Sequence, residues 1–288
     1  MTNHKLHTIV VPVRGDGKGD NVLAHASVLA RKHTSRVRVV HCHPKADDLM
    51  PFGVVIPQVL RAQIEEATQR NVDVTREQLT QEFITLATNF GLEARDHVSG
   101  RATARFIDYE GKQVDAVRHY GRLADLICVS QPDPKLNLGN NTLKAALFSS
   151  GRPVMMCPPQ DEVSDDFADH VAIGWNGSIE ASRALSMAMP LIAAAKTVTI
   201  LSSGSAGHDA TADDVVRYLE LKSVNASIRI FAAKSANVGE QLLDETKTAG
   251  AGVLIMGAYH DSYERESLFG GTSQVVVQKS NFPIVMVH

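Results

Sequence analysis

The chain repeats itself at the scale of a whole domain. Ala124–Ser130 (ADLICVS) followed by Thr142–Cys157 (TLKAALFSSGRPVMMC) has a counterpart in Gly252–Gly257 (GVLIMG) followed by Thr272–Val287 (TSQVVVQKSNFPIVMV). Each is an apolar run, a polar loop, a short helical segment, a proline and a last apolar run. The openings match as well. Thr8–Asp16 (TIVVPVRGD) parallels His170–Ser178 (HVAIGWNGS), and each leads into an Ala- and Leu-rich segment. A repeat this long is two copies of one domain, not a solenoid of small units. A chain of 288 residues accommodates that reading, since each copy is then large enough to bury its own core.

Continuous apolar runs recur within each copy. In the first they are Ile9–Val13, Val37–His41, Leu126–Val129 and Val154–Cys157, with a weaker strand candidate near Ala94–Val98. In the second they are Val171–Trp175, Val198–Leu201, Ile228–Ala232, Val253–Met256 and Ile284–Val287. Short, β-branched runs with little alternation read as strands covered on both faces of a parallel sheet. Helical patterns separate them. Val22, Ala26 and Leu29 recur at helical spacing, as do Ala184, Ala188 and Leu191 after Ser178, a good N-cap. Residues 57–90 read as one or two helices, and 213–221 as a shorter counterpart. The class expected is α/β: two tandem doubly wound parallel-sheet domains, Rossmann-like and of nucleotide-binding type. The acidic, proline-bearing stretch Pro158–Asp166 marks the boundary and gives domains 1–160 and 168–288. The last apolar runs of the two copies are the edges expected to pair with each other.

A net charge of −3 argues against a dedicated nucleic-acid surface. No apolar stretch approaches a membrane span, and the N-terminus lacks a signal-peptide pattern. The three cysteines, Cys42, Cys128 and Cys157, lack zinc-type spacing and read as free thiols of a cytoplasmic protein.

Ligands of open α/β sheets bind beyond the carboxyl ends of the strands, where strand order switches. Two segments of the second half fall there. Trp175-Asn176-Gly177-Ser178 turns from the first strand into a helix whose free N–H groups face an anion or polar ring. Gly and Ser at such a place also serve simply to turn and cap the chain. The loop Gly257–Ser273 has Gly257 at one end and Gly270-Gly271 at the other, opening a helix with Thr272 and Ser273. Such a turn can cradle phosphates or only reverse the chain. In the first half, Arg14–Asp20 (RGDGKGD) resembles a phosphate loop but matches neither the Walker nor the dinucleotide glycine pattern, and reads better as a solvated loop. His41 and His43 share one face of a strand, but two ligands rarely suffice for zinc, and no metal site is expected. His260-Asp261 lacks the companions of an acid–base pair, and no catalytic residue is assigned.

Taken together, these segments resemble the universal stress proteins, two such domains in one chain. Many members of that family bind ATP through Gly, two residues, Gly, nine residues, Gly, then Ser or Thr. On this sequence the pattern falls on Gly257, His260, Gly270 and Gly271, followed by Thr272 and Ser273, with Ala258 inside the loop. His260 replaces the second glycine and Gly271 the hydroxyl residue. The family's Asp after the first strand, which holds adenine, falls on Asn176, with Gly177 and Ser178 behind it. The resemblance thus implies an adenine nucleotide, ATP with Mg2+, in the second half. In the first half Ser130 stands for the first glycine, Asn140-Asn141 for Gly270-Gly271, and Pro132 and Pro134 stiffen a shorter loop. That copy is expected not to bind ATP and to pack against the second, as two chains pack in the family's dimers. A homodimer of the whole chain is a further expectation.

Two functions remain open at this point. One is a stress-response regulatory protein occupied by ATP in its second half, with slow hydrolysis at most, since no base, metal ligand or arginine is placed for turnover. The other is a nucleotide-free interaction scaffold, favoured by Asn176, His260 and Gly271. An adenylating ligase or an electron-transfer flavoprotein subunit ranks below both, because the second half lacks insertions for a second substrate.

Overall fold

The computed structural model describes residues 4–13, 19–43, 45, 76–136, 138–204, 210–232, 238–258 and 271–288. Ten strands make one sheet. They are β1 (Thr8–Val13), β2 (Arg36–His43), β3 (Thr103–Glu110), β4 (Leu126–Ser130), β5 (Val154–Cys157), β6 (His170–Trp175), β7 (Thr197–Ser202), β8 (Ser227–Ile230), β9 (Val253–Gly257) and β10 (Ile284–Val287). Their order is β3-β2-β1-β4-β5-β10-β9-β6-β7-β8. The halves therefore share one strand order, and every pairing within a half is parallel. The chain starts at the middle strand of each half, winds outward one way, then crosses back and winds the other way. This is the doubly wound α/β arrangement.

The halves meet at β5 and β10, which run antiparallel with Val154 opposite Met286 and Met156 opposite Ile284. Both strands are apolar throughout and completely buried. Joining these edges turns two five-stranded sheets into one continuous sheet and leaves β3 and β8 at its ends.

Helices cover both faces. Helix α1 (Gly19–His33), helix α2 over 76–89, α5 (Ile179–Met187), α6 (Met189–Ala194) and α7 (Ala212–Glu220) pack on one face. Helices α3 (Gln113–Gly121), α4 (Asn140–Ser149), α8 (Val238–Thr248) and α9 (Gly271–Lys279) pack on the other. Strand alternation divides the central pair between the two cores. Met155, Cys157, Val285 and Val287 enter one, while Val154, Met156, Ile284 and Met286 enter the other. No helix among the described residues is long and apolar enough to cross a membrane.

Two local expectations are corrected. The third strand of the first half is Thr103–Glu110, not the neighbourhood of Ala94–Val98, where Glu93 alone bridges to Thr103. Its sequence TARFIDYE carries Arg, Asp and Glu because it is an edge strand, so it lacks the apolar run that marks a central one. The segment after Ser178 is two helices. Ala184, Ala188 and Leu191 are all buried, but Pro190 supplies no N–H and breaks the ladder between α5 and α6.

Candidate functional site

The second half opens a cleft of about 210 Å3 at the carboxyl ends of β6, β7 and β9. Here β6 leads to β7 on one side while β9 lies on its other, so the cleft sits at the switch point of the sheet. Its floor is Gly174, Leu242 and Met256, and Leu201, Phe231 and Val238 form an apolar wall. Polar groups converge from three places: Asn176, Ser178 and Glu180 at the start of α5, Ser203 after β7, and Thr272 and Ser273 in the first turn of α9.

The turn into α5 is built locally. Gly177 adopts a left-handed conformation (φ 78°), which a side chain resists. Ser178 N–H donates to Asn176 Oδ1 at 3.2 Å, and Ser178 Oγ accepts from Ala181 N–H at 3.1 Å. The first is an Asx turn and the second an N-cap, so the sequence Asn-Gly-Ser specifies the helix start without a ligand. Asn176 spends its carbonyl oxygen on this turn. The end left over is its NH2, a donor.

Gly257 ends β9 against the start of α5. A Cβ there would lie 2.5 Å from Ala181 N, 2.6 Å from Glu180 C and 2.7 Å from Glu180 Cβ. Only glycine allows β9 and α5 to approach this closely, and their approach forms one side of the cleft. Glu180, 8% exposed, sits in the first turn of α5, where the helix dipole favours a carboxylate. Beside it Trp175 is buried, its Nε1 donating to Ala210 O at 2.8 Å.

Of the residues singled out from sequence, Asn176, Ser178, Gly257, Ala258, Thr272 and Ser273 line this cleft. Gly177 and Gly271 adjoin it as the left-handed turn before α5 and the first residue of α9. His260 and Gly270 lie outside the described residues, as do Arg14–Lys18. Sequence reasoning missed Gly174, Glu180, Ser203, Phe231, Val238, Leu242 and Met256. They come from six elements or their ends and converge only through the topology. Glu180 alone carried a local signal, as a carboxylate directly behind the Ser178 cap.

The corresponding loop of the first half folds back on itself. Asp133 and Leu138 exchange backbone hydrogen bonds at 2.9 and 3.2 Å. Asp133 Oδ1 also accepts from Lys135 N–H at 2.9 Å and Leu136 N–H at 3.2 Å. Beside it Gln131 reaches into the other half. Its Nε2 lies 2.7 Å from Val277 O, 3.1 Å from Ser280 O and 3.4 Å from Gln278 O, the carbonyls at the end of α9. At β2, Asp108 faces both histidines, with its Oδ1 3.1 Å from His41 Nδ1 and its Oδ2 3.5 Å from His43 Nε2. No cluster of three or more His, Cys, Asp or Glu fit to hold a metal occurs among the described residues. The cysteines are free thiols. Burial and the nearby Asp108 carboxylate push Cys42 up to about 12, and burial beside Cys128 pushes Cys157 up as well. Both thiols stay protonated and unreactive near neutral pH.

Solved structures share this architecture from end to end. A universal stress protein from Archaeoglobus fulgidus DSM 4304 superposes with a TM-score of 0.69 at 17% identity, covering 99% of this chain and 97% of its own. A functionally unknown protein from Pseudomonas aeruginosa PAO1 gives 0.57 at 14% identity over 99% and 93%. A putative universal stress protein from Pseudomonas aeruginosa UCBPP-PA14 gives 0.54 at 14% identity over 100% and 95%. No protein-family model and no curated protein matches the sequence. With one strand order in both halves and full-length likeness at these scores, the chain has the fold of the universal stress proteins, present twice in one polypeptide.

Proposed function

We propose that the chain is a tandem universal stress protein of regulatory type, acting in the cytoplasm, and that its second half binds an adenine nucleotide. The observation that carries this reading is the cleft at the switch point, where the first turns of α5 and α9 converge on one apolar wall. An aromatic heterocycle fits against Phe231 and Val238, with the Asn176 NH2 donating to a ring nitrogen. Phosphates fit the first turn of α9, where backbone N–H groups and the Thr272 and Ser273 hydroxyls supply donors. Bound ATP with Mg2+ would add negative charge for those donors to hold. Glu180 is the carboxylate in the cleft wall that can accept from sugar hydroxyls. About 210 Å3 takes a ring and part of a sugar rather than a whole nucleotide, so the phosphates extend along the α9 start.

The first half serves as the packing partner. Its stitched loop and Gln131 support the second half instead of presenting a second cleft of this kind. A nucleotide-free scaffold is the competing reading, and Glu180 favours it, because a buried carboxylate opposes an incoming phosphate.

Denaturing extraction of freshly purified protein, followed by chromatography, decides between them. About one ATP or ADP per chain supports the switch. Nothing released, with no rise in melting temperature on adding ATP and magnesium, supports the scaffold. A nucleotide at 100 times its dissociation constant adds about 2.7 kcal/mol to stability, a shift well within reach of the measurement.

A further inference from the structure

A second cavity, of about 590 Å3, opens in the first half at the carboxyl ends of β1 and β2, under α1 and α2. It lies on the sheet face opposite α3 and α4, and it is independent of the nucleotide cleft in the second half. Strand register explains why it exists. Val13 pairs with His41, and His41 with Asp108. In the second half the matching row is Trp175 with Ser202, and Ser202 with Ile230. Trp175 fills its place with a buried indole held by Ala210. Val13 at the same place leaves the space open. The first half has thus exchanged a filling residue for a hollow and a neutral row for His41 and Asp108.

The lining gives the hollow its chemistry. Leu23, Leu79 and Leu86 make its sides, and Phe83 and Phe106 stand with ring centroids 5.7 Å apart. Among the described residues the charged or titratable groups facing it are Asp20, Glu82 and His41, and no lysine or arginine lines it. His41 is itself held by Asp108 behind it. Asp20 and Glu82 are exposed and lie at the mouth. Burial and the nearby Glu82 carboxylate push Asp20 up from the ordinary carboxylate range. Two like charges facing one hollow are relieved by a positive guest. The Phe and Leu lining receives a hydrocarbon body, and the size is that of a small-molecule site.

We infer that this cavity binds an apolar organic cation, an ammonium group at the carboxylate mouth with its hydrocarbon body among Phe83, Phe106 and the leucines. The site is separate from the proposed nucleotide function and stands or falls without it.

Isothermal titration of the full chain with 3-phenylpropylammonium, 3-phenylpropanol and 3-phenylpropanoate tests this directly, since the three share a body and differ in charge. The ammonium should bind at least tenfold more tightly than the alcohol, and the carboxylate most weakly. Glu82→Lys, on an exposed residue, should erase the ammonium's advantage. Val13→Trp should abolish binding of all three by filling the space. Gly19 packs on Val13 so closely that a Cβ on it would fall 2.9 Å from Val13 Cγ1, so Val13→Trp is read only if its circular dichroism is native, and Glu82→Lys decides otherwise. Equal affinities for the three probes, no binding at millimolar concentration, or an unchanged ammonium affinity in Glu82→Lys overturns the inference.

Discussion

Gln131, just beyond β4 of the first half, donates from Nε2 to Val277 O at 2.7 Å, near the end of α9 in the second half. The last carbonyls of a helix have no partner within it, and here a side chain from the other copy supplies one. The same amide lies within reach of Ser280 O. One residue thereby fixes the helix whose opposite end lines the candidate cleft. Gln131→Ala should lower stability by about 1–2 kcal/mol, the cost of leaving such groups unpaired. Urea unfolding monitored by circular dichroism measures it, and Gln131→Glu should be worse than Ala, since a carboxylate repels the negative helix end. A loss below a few tenths of a kcal/mol in both would mean that water replaces the amide fully.

Gly257 separates two roles that one glycine can have. In the resemblance it opens a nucleotide motif, but its surroundings give a packing reason that holds without ligand. Gly257→Ala places a Cβ within 2.5 Å of Ala181 N, so β9 and α5 must part. The expected loss is about 2 kcal/mol or more, in the range of overpacked cores. Gly177→Ala keeps the packing and strains only a left-handed turn, at about 1 kcal/mol. Thermal unfolding of the two variants without nucleotide should therefore rank Gly257→Ala as the more damaging. The reverse order would overturn the packing reason given for Gly257.

His33 predicts an acid-sensitive fold. It is buried at the end of α1, and its Nε2 has no hydrogen-bond partner among the described residues. Burial foremost, then the Lys32 and Lys5 charges, lower its pKa to about 4. The unfolded chain protonates near 6.5 and the folded one near 4, so the unfolded state holds more protons between those values. Stability from the neutral ring is therefore complete above about pH 6.5, falls as pH drops through this window, and levels off below about pH 4. The loss is roughly 2 kcal/mol once solvent screening is allowed for. Burial lowers His25 in the same direction. Urea midpoints of the native chain and of His33→Leu at pH 7, 5 and 4 check this. The gap between the two should shift in favour of the variant as pH falls.

The central strands were readable because burial on both faces demands apolar runs, and β5 and β10 were readable as partners because two such edges cannot stay exposed. Edge strand β3 was not, since Arg105 and Glu110 face solvent and Asp108 pairs with the histidines of β2 instead of entering an apolar core. The α5–α6 break was written in Pro190 but hidden by a helical spacing that continues across it. For the cleft, Asn176 and Thr272 were legible from local turn and cap chemistry. Phe231, Val238 and Leu242 were not, because β8 and α8 reach the cleft only through the sheet order. The hollow beside Val13 was invisible for the same reason. Its meaning depends on comparing Val13 with Trp175 in register, and register is a property of the folded sheet.

Thr272 gives the sharpest test of how a nucleotide would lie. It is half-buried in the first turn of α9, on the cleft wall. If the α9 start receives phosphates, the Thr272 hydroxyl donates one hydrogen bond to them and none to the base. Thr272→Ala should then weaken ATP and ADP about three- to tenfold, the span of one ordinary hydrogen bond of about 0.5–1.5 kcal/mol. Adenosine should bind the variant and the native chain alike. The comparison removes any general effect on the fold, because a destabilised α9 would weaken all three ligands together. Unchanged ATP and ADP affinity in Thr272→Ala would move the phosphates away from α9, and tighter ATP binding in Glu180→Gln would then place them at the start of α5.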